Sequence, residues 1–416
     1  MEPRYGVRVY LATAFCARLA DEGVPVGAVL LALHRTGSPA QGAYALTAWT
    51  APHLLAAPLT GSLAARARRV HAFYAVCLGA FGAAILGLSL LLGRVPLPAA
   101  LAVALAGGVF GPIVSGGLSS LVAGLAPAGP ERARAHALDA AVYNAASVAG
   151  PAMVTATAAA WSAAMALAAL AGGAAVAALL VLAMPLSARA AEPAQARLSA
   201  DLWRGLAVVR QNPVLRLVTG SSSLAYVGTG ALSTTAVLLA ARRGYSGGGG
   251  VLVAVFAAAA LAGSLATARR QSAVPATLIA CLSLLGTGMA LFAAAVVQPF
   301  PVCAALFAAA GFCDGPLLAA ILRVRGEQAP PGARTQVFTL AAGLKIFAGA
   351  CGSAAAGAAS HLNPAALLIC IAALQCAAAA VIARSPHGWR APRHPDASRV
   401  DDHDAADMTA DAVHPS

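Results

Sequence analysis

Three stretches of this chain, Ala72 to Gly93, Val95 to Pro130 and Gln271 to Cys313, contain no Asp, Glu, Lys or Arg at all. A helix needs about 20 apolar residues to cross the hydrocarbon core of a bilayer, and each of these runs supplies at least one such span. A soluble alternative fails on charge. Charged residues are 10% of the chain and mean hydropathy is +0.77, whereas a soluble surface carries roughly 25–35% charged residues. Breaking the apolar runs at their Pro and Gly punctuation predicts twelve helices, near 9–33, 43–65, 71–93, 98–123, 138–159, 162–184, 217–240, 248–268, 274–297, 300–322, 336–358 and 364–384. The fold class expected is an all-α polytopic membrane protein. No cleavable signal peptide is expected, because the first apolar run carries Arg18, Asp21 and Glu22.

The chain also says nearly the same thing twice. Gly61-Ser62-Leu63-Ala64, followed by Arg66, Arg68 and Arg69, returns as Gly263-Ser264-Leu265-Ala266, followed by Arg269 and Arg270. Ala28-Val29-Leu30-Leu31-Ala32 returns as Ala236-Val237-Leu238-Leu239-Ala240, and Gly111-Pro112 returns as Gly315-Pro316. Three matches in the same order point to a duplicated unit of six helices, an arrangement typical of secondary transporters. The expected organisation is an N-terminal six-helix bundle over 1–186, an inter-bundle loop over 187–213, a C-terminal bundle over 214–384 and a disordered tail over 385–416. Leu198, Leu202, Leu206 and Val209 recur at helical spacing within that loop, with Trp203 suited to headgroup level, which predicts a short interfacial helix. The tail is polar, Pro-rich and finally acidic, with too little apolar surface to bury.

The net charge of +12 follows the membrane. With both termini placed in the cytoplasm, the great majority of the 27 basic residues fall on cytoplasmic segments, including Arg66–Arg69 and Arg269–Arg270. The basic balance is therefore a topology signal, and no nucleic-acid partner is expected. Lys345 is the single lysine among those 27, which with heavy alanine use suggests GC-rich coding and a bacterial plasma membrane. The eight cysteines fall almost wholly inside predicted spans without Cys-x-x-Cys spacing, so they read as small packing residues.

The duplicated halves, the long middle loop and the basic residues after helices 2 and 8 resemble the major facilitator superfamily over roughly residues 5 to 384. The motif that carries the resemblance is the loop after helix 2, where Gly61, Leu63, Ala64, Arg66, Arg68 and Arg69 match the family's Gly-x-Leu-Ala-Asp-Arg-x-Gly-Arg-Arg pattern. Ala65 stands at the family's Asp, and the second Gly is missing. Gly111-Pro112, Pro130-Glu131-Arg132, Tyr143-Asn144 and Gly150-Pro151 look most like bacterial drug- and metabolite-efflux members. The resemblance implies alternating access, with helices 1, 4, 7 and 10 lining a central cavity.

Ionisable groups inside spans are costly, roughly 2.5–3.5 kcal/mol each at the bilayer centre, so each invites a functional reading. Arg18 and Glu22 lie four apart on one face of helix 1, with Asp21 at its midpoint. One guanidinium balances one carboxylate, so the two acids should titrate as a coupled set and suit proton coupling. A static ion cluster that fixes packing is the alternative. Asp314 and Lys345 sit at similar depth on consecutive antiparallel helices, which predicts a pair serving either structure or substrate. Tyr143, Asn144, Tyr226 and His53 are polar candidates for the cavity wall. Asp139, placed near the cytoplasmic edge, is expected to pair with Arg132 or Arg134. Gly107-x-x-x-Gly111 and Gly311-x-x-x-Gly315 should let helices pack closely.

No nucleotide loop, metal cluster or hydrolytic triad is visible, so an enzyme or ATP-driven pump is not expected, nor any cofactor or metal. The expected partners are the lipid bilayer, a small-molecule substrate and protons, with the chain acting as a monomer. The leading expectation is proton-coupled export of a small, partly hydrophobic molecule, favoured by the low charge of the expected cavity. Uptake or facilitated diffusion of a polar metabolite, and a transporter-like scaffold or sensor that moves nothing, stand as rivals.

Overall fold

The computed structural model describes residues 3–186, 198–245, 248–269 and 274–384. The tail over 385–416 and residues 187–197 of the inter-bundle loop lie outside the described residues. Helices are α1 (Pro3–Thr36), α2 (Pro39–Thr50), α3 (Pro52–Arg66), α4 (Val70–Leu91), α5 (Leu97–Gly108), α6 (Leu118–Leu125), α7 (Pro130–Ala160) and α8 (Ala163–Leu182) in the first half. The second half has α10 (Pro213–Arg242), α11 (Gly248–Arg269), α12 (Ala276–Val296), α13 (Phe300–Gln328), α14 (Arg334–Ala358) and α15 (Pro364–Ala383), preceded by α9 (Leu198–Gln211). Among the described residues, nine stretches are long and apolar enough to cross a membrane on length and composition alone. The other three spans are α1, the α2–α3 pair and α7. α1 and α7 carry polar and charged side chains, and α2 and α3 are each too short to cross alone.

Proline explains most differences from the expected boundaries. Pro39, Pro52, Pro130, Pro213 and Pro364 open their helices, where a missing N–H costs nothing. The second span is therefore broken at Ala51–Pro52, and α7 starts eight residues earlier than its apolar run suggested. Pro112 interrupts the fourth span, which continues through a π-helical turn at Ile113–Gly117 into α6. α13 runs on to Gln328, past the charges at which the expected helix stopped.

The same packing recurs in both halves. α1 lies on α7 and α8 as α10 lies on α14 and α15, while α4 packs on α8 as α12 packs on α15. α5 packs on α2 as α13 packs on α11. The repeated glycines do what small residues at that spacing allow. Gly107 faces the Trp49 ring and Gly111 the His53 ring, while a Cβ at Gly311 or Gly315 would overlap the carbonyls of Phe256 or Ala260.

The bundles touch through α3 with α14 and through α7 with α11 and α13. Their hydrogen bonds and closest approaches lie toward the side where α1 begins, called here the terminal side. Ser120 bonds Thr335 at 3.0 Å, and Asn144 Nδ2 donates to Ser264 Oγ at 2.7 Å. Gly61 seats against Gln336 and Thr339, and Gly116 against the Phe338 carbonyl. An apolar cluster of Ala137, Ala140, Ala268, Leu318, Leu322 and Phe338 fills this junction. The amphipathic α9 packs over it against α3, α10 and α14, with Val209 buried beside Leu215 and Val337 and Trp203 65% exposed. The structure is closed on the terminal side.

Candidate functional site

The polar groups at mid-depth come from α1, α7, α10, α13 and α14, and the repeat explains how they meet. The match of Ala28–Ala32 with Ala236–Ala240 sets Arg18 opposite Tyr226, and Tyr143 of α7 stands near Lys345 of α14 in the repeat. Within the first bundle the Arg18 guanidinium lies 4.8 Å from the Tyr143 ring centroid. Within the second, the Lys345 ammonium lies 4.6 Å from the Tyr226 ring centroid. This is the same cation–π contact with cation and ring exchanged. The two pairs then meet, with Lys345 Nζ 4.0 Å from the Tyr143 centroid, giving a continuous series Arg18, Tyr143, Lys345, Tyr226. His136 and Phe338, each seven residues earlier on α7 and α14, stack on each other with centroids 6.3 Å apart. Repeat mates that touch must lie near the axis relating the halves. Two such contacts about 10 Å apart along the helices make that axis parallel to them, along the membrane normal.

Arg18 is not held by Glu22, as its spacing suggested. It is 1% exposed and pairs with Asp139, Nη1 to Oδ1 at 2.6 Å and to the Asp139 carbonyl at 3.0 Å. Its Nη2 donates to Ser119 Oγ at 2.8 Å, while the Ser119 and Tyr10 hydroxyls donate to the Asp139 carboxylate at 2.7 and 2.6 Å. Asp139 therefore does not sit at the edge with Arg132 or Arg134. It is fully buried, because α7 starts early and carries it inward.

That assignment leaves Asp21 and Glu22 without the guanidinium. Both are half-buried at the middle of α1, and among the described residues neither forms an ion pair. Asp21 lies beside the Trp49 indole, and both acids lie within electrostatic range of Lys345 across the bundle junction. Lys345 likewise has Glu22 and Asp314 in electrostatic range but is in ion-pair contact with neither. The direct Asp314–Lys345 pair is thus absent in this state, the ammonium resting between tyrosine rings instead.

Tyr143 and Tyr226 each place a ring against the Lys345 ammonium. Asn144 bridges the bundles to Ser264 and Ala260, and His53, 3% exposed, packs on Gly111 and is no wall residue. Of the loop motif, Gly61 makes the inter-bundle contact, Leu63 is exposed, Arg66 ends α3, and Arg68 and Arg69 are exposed beyond it. Sequence reasoning missed Arg325, placed in a loop but buried in α13, and His136, buried at the junction. The centre is also more charged than expected, since Asp21, Glu22, Asp314 and Lys345 gather there from both halves.

Two pseudo-symmetric six-helix bundles, joined on one side around half-buried ionisable groups, define a multi-pass membrane transporter. The family model of the Major Facilitator Superfamily matches residues 10–276, and the chain belongs to that family of transporters. Among solved structures, that of the human organic anion transporter TETRAN is similar with a TM-score of 0.72 at 19% identity, covering 92% of this chain and 100% of that one. The proton:xylose symporter XylE gives 0.69 at 13% identity, covering 92% and 96%. The E. coli fucose:proton symporter FucP gives 0.71 at 11%, covering 92% and 99%. These likenesses concern the fold. The sequence has no significant match among curated proteins.

Proposed function

We propose that this chain is a proton-coupled exporter of a small, partly hydrophobic molecule, working by alternating access across a plasma membrane with the terminal side facing the cytoplasm. In this reading residues 1–186 and 214–384 move as bundles about the central site, and the closed terminal side makes the present state outward-facing. The carrying observation is that Asp21 and Glu22 sit half-buried at the middle of α1 with no ion pair among the described residues, because Asp139 has taken Arg18. A carboxyl that is neither paired nor fully sealed can gain and lose a proton as access alternates. Lys345 is the group positioned to sense that change, since Glu22 across the junction and Asp314 within its own bundle both lie within its electrostatic range.

The test replaces the titratable groups while keeping their shape. Asp21→Asn or Glu22→Gln should abolish uphill, pH-gradient-driven transport in proteoliposomes while leaving substrate counterflow. The sequence alone favoured Asp21, on the ground that Glu22 was neutralised by Arg18. That ground is gone, and Glu22 stands as an equal choice, since both acids lie within electrostatic range of Lys345. Uphill transport surviving in the double variant would end the proposal. Orientation is tested separately. Single cysteines at Ser38 and His361 in a cysteine-free background should react with impermeant maleimide from outside intact cells, and one at Ser199 should not.

A further inference from the structure

Arg325 stands three residues before the end of α13, yet it is 5% exposed. Its Nη2 donates to Ser222 Oγ at 3.1 Å, and its Nε is buried with no partner. Among the described residues no carboxylate pairs with it. Glu327, two positions on, is taken by Arg323 at 2.8 Å. Tyr226 and Lys345 are its electrostatic neighbours, and neither supplies a negative charge.

Arg18 is the control within the same molecule. It is as deeply buried but holds a carboxylate, a carbonyl and a hydroxyl. Taking a guanidinium out of water costs several kcal/mol unless a partner offsets it, so Arg325 carries an uncompensated charge in this state. The fold does not require that charge. Aligning Gly111-Pro112 with Gly315-Pro316 sets Arg325 opposite Leu121, which is buried in apolar surroundings. The charge is an addition of the second half, and among the described residues no carboxylate balances it.

We propose that Arg325, oriented by the Ser222 hydroxyl, forms an anion subsite that takes the carboxylate of a small organic acid on its way to the central site. The guanidinium presents parallel donors matched to a carboxylate, and its Nε is unspent, while the Ser222 hydroxyl accepts from Nη2 and donates to the Thr219 carbonyl at 3.0 Å. Arg325 lies about 5 Å from the terminal end of α13, whereas Lys345 lies about 16 Å into α14. An acid entering from the terminal side therefore meets Arg325 first and the Lys345 ammonium deeper in, with Tyr226 between them. This deepens the exporter reading and rests on it for the direction of loading, although binding itself needs neither transport nor protons.

The experiment is a thermal-stability titration of the purified full chain with benzoate and with its neutral isostere benzamide, in gluconate buffer free of competing chloride. Benzoate should stabilise the wild type and benzamide should not. Arg325→Gln and Ser222→Ala should each need higher benzoate for the same shift, about tenfold or more for Arg325→Gln. Arg325→Lys should fall between. Arg325→Leu, which installs the residue type of the equivalent position, should be more stable than wild type without ligand, because it removes an unbalanced charge. Equal shifts from benzoate and benzamide, an unchanged benzoate response in Arg325→Gln, or a less stable Arg325→Leu would each overturn the subsite. Loss of proton coupling in the Asp21 and Glu22 variants is measured independently, so the subsite and the exporter reading fail separately.

Discussion

In the first bundle a guanidinium and a carboxylate close on each other inside one continuous apolar cluster that runs from Tyr10 to Met184. In the second bundle the apolar interior is divided. One cluster, with Val218, Leu284, Ile321 and Ile382, lies toward the terminal side, and another, with Leu232, Phe256, Phe307 and Leu368, lies toward the opposite side. A belt of polar contacts separates them. Gln375 Nε2 donates to the Ala225 carbonyl at 3.0 Å and Thr287 to the Ala310 carbonyl at 3.1 Å, with Asp314 at the same level. Among the described residues the charges of Asp314, Arg325 and Lys345 here have no ion-pair partner. The duplication kept the helix pairing and exchanged the chemistry. The first half locks its buried guanidinium in an ion pair, and the second leaves Arg325 and Lys345 without one among the described residues.

The largest expected effect tests that contrast directly. Asp139→Asn strands Arg18 in an apolar interior and should cost about 3–5 kcal/mol, seen as loss of folded monomer on size-exclusion chromatography. The double variant Arg18→Met, Asp139→Leu should recover most of that loss. Lys345→Met removes a half-buried cation that makes no ion pair among the described residues, only contacts with two tyrosine rings worth about 1–2 kcal/mol each at most. It should fold well and fail in transport. A double-mutant cycle should accordingly give coupling above about 1.5 kcal/mol for Arg18–Asp139 and below about 0.5 kcal/mol for Asp314–Lys345. Equal coupling energies in the two halves would erase the distinction.

Spans, duplication and glycine packing were legible in the sequence because each is a local pattern. Uncharged length marks a span, repeated words mark a repeat, and small residues four apart mark a close helix approach. The charged partners were not legible, for a physical reason. Spacing along one helix sees only i and i+4, so Arg18 was matched with Glu22, while the structure reaches across to Asp139 on α7. Treating a charge as the end of a helix compounded the error. It placed Asp139 at an edge and Arg325 in a loop, although Pro130 at N1 with Glu131 in the first turn marks an earlier start for α7. The pairing of Tyr143 with Lys345 was within reach, since the repeat sets them near equivalent positions. That equivalents near the axis touch each other requires knowing where the axis runs.

The smallest expected effect lies at the other axis contact, where the halves differ as imidazole against phenyl. His136 is fully buried on α7, stacked on Phe338, and neither ring nitrogen has a partner. A neutral imidazole still carries one N–H donor and one acceptor, and leaving them unsatisfied costs about 1–3 kcal/mol, partly recovered by the stack. The ring is fully buried, so charging it is no remedy. The Gly326 backbone approaches Nε2 and lacks the Cβ that would crowd it, which leaves room for a six-membered ring. His136→Phe makes the contact symmetric and removes both orphaned atoms, and it should stabilise the terminal-closed state by about 1 kcal/mol. Two measurements should move together: a higher melting temperature, and slower maleimide labelling of a cysteine at Ser120, which is sealed in this state. Turnover should slow if opening the terminal side limits the cycle. A less stable variant with faster labelling would mean that the histidine nitrogens hold the junction through bonds the phenyl ring cannot make, and that the asymmetry between the halves extends to the closure itself.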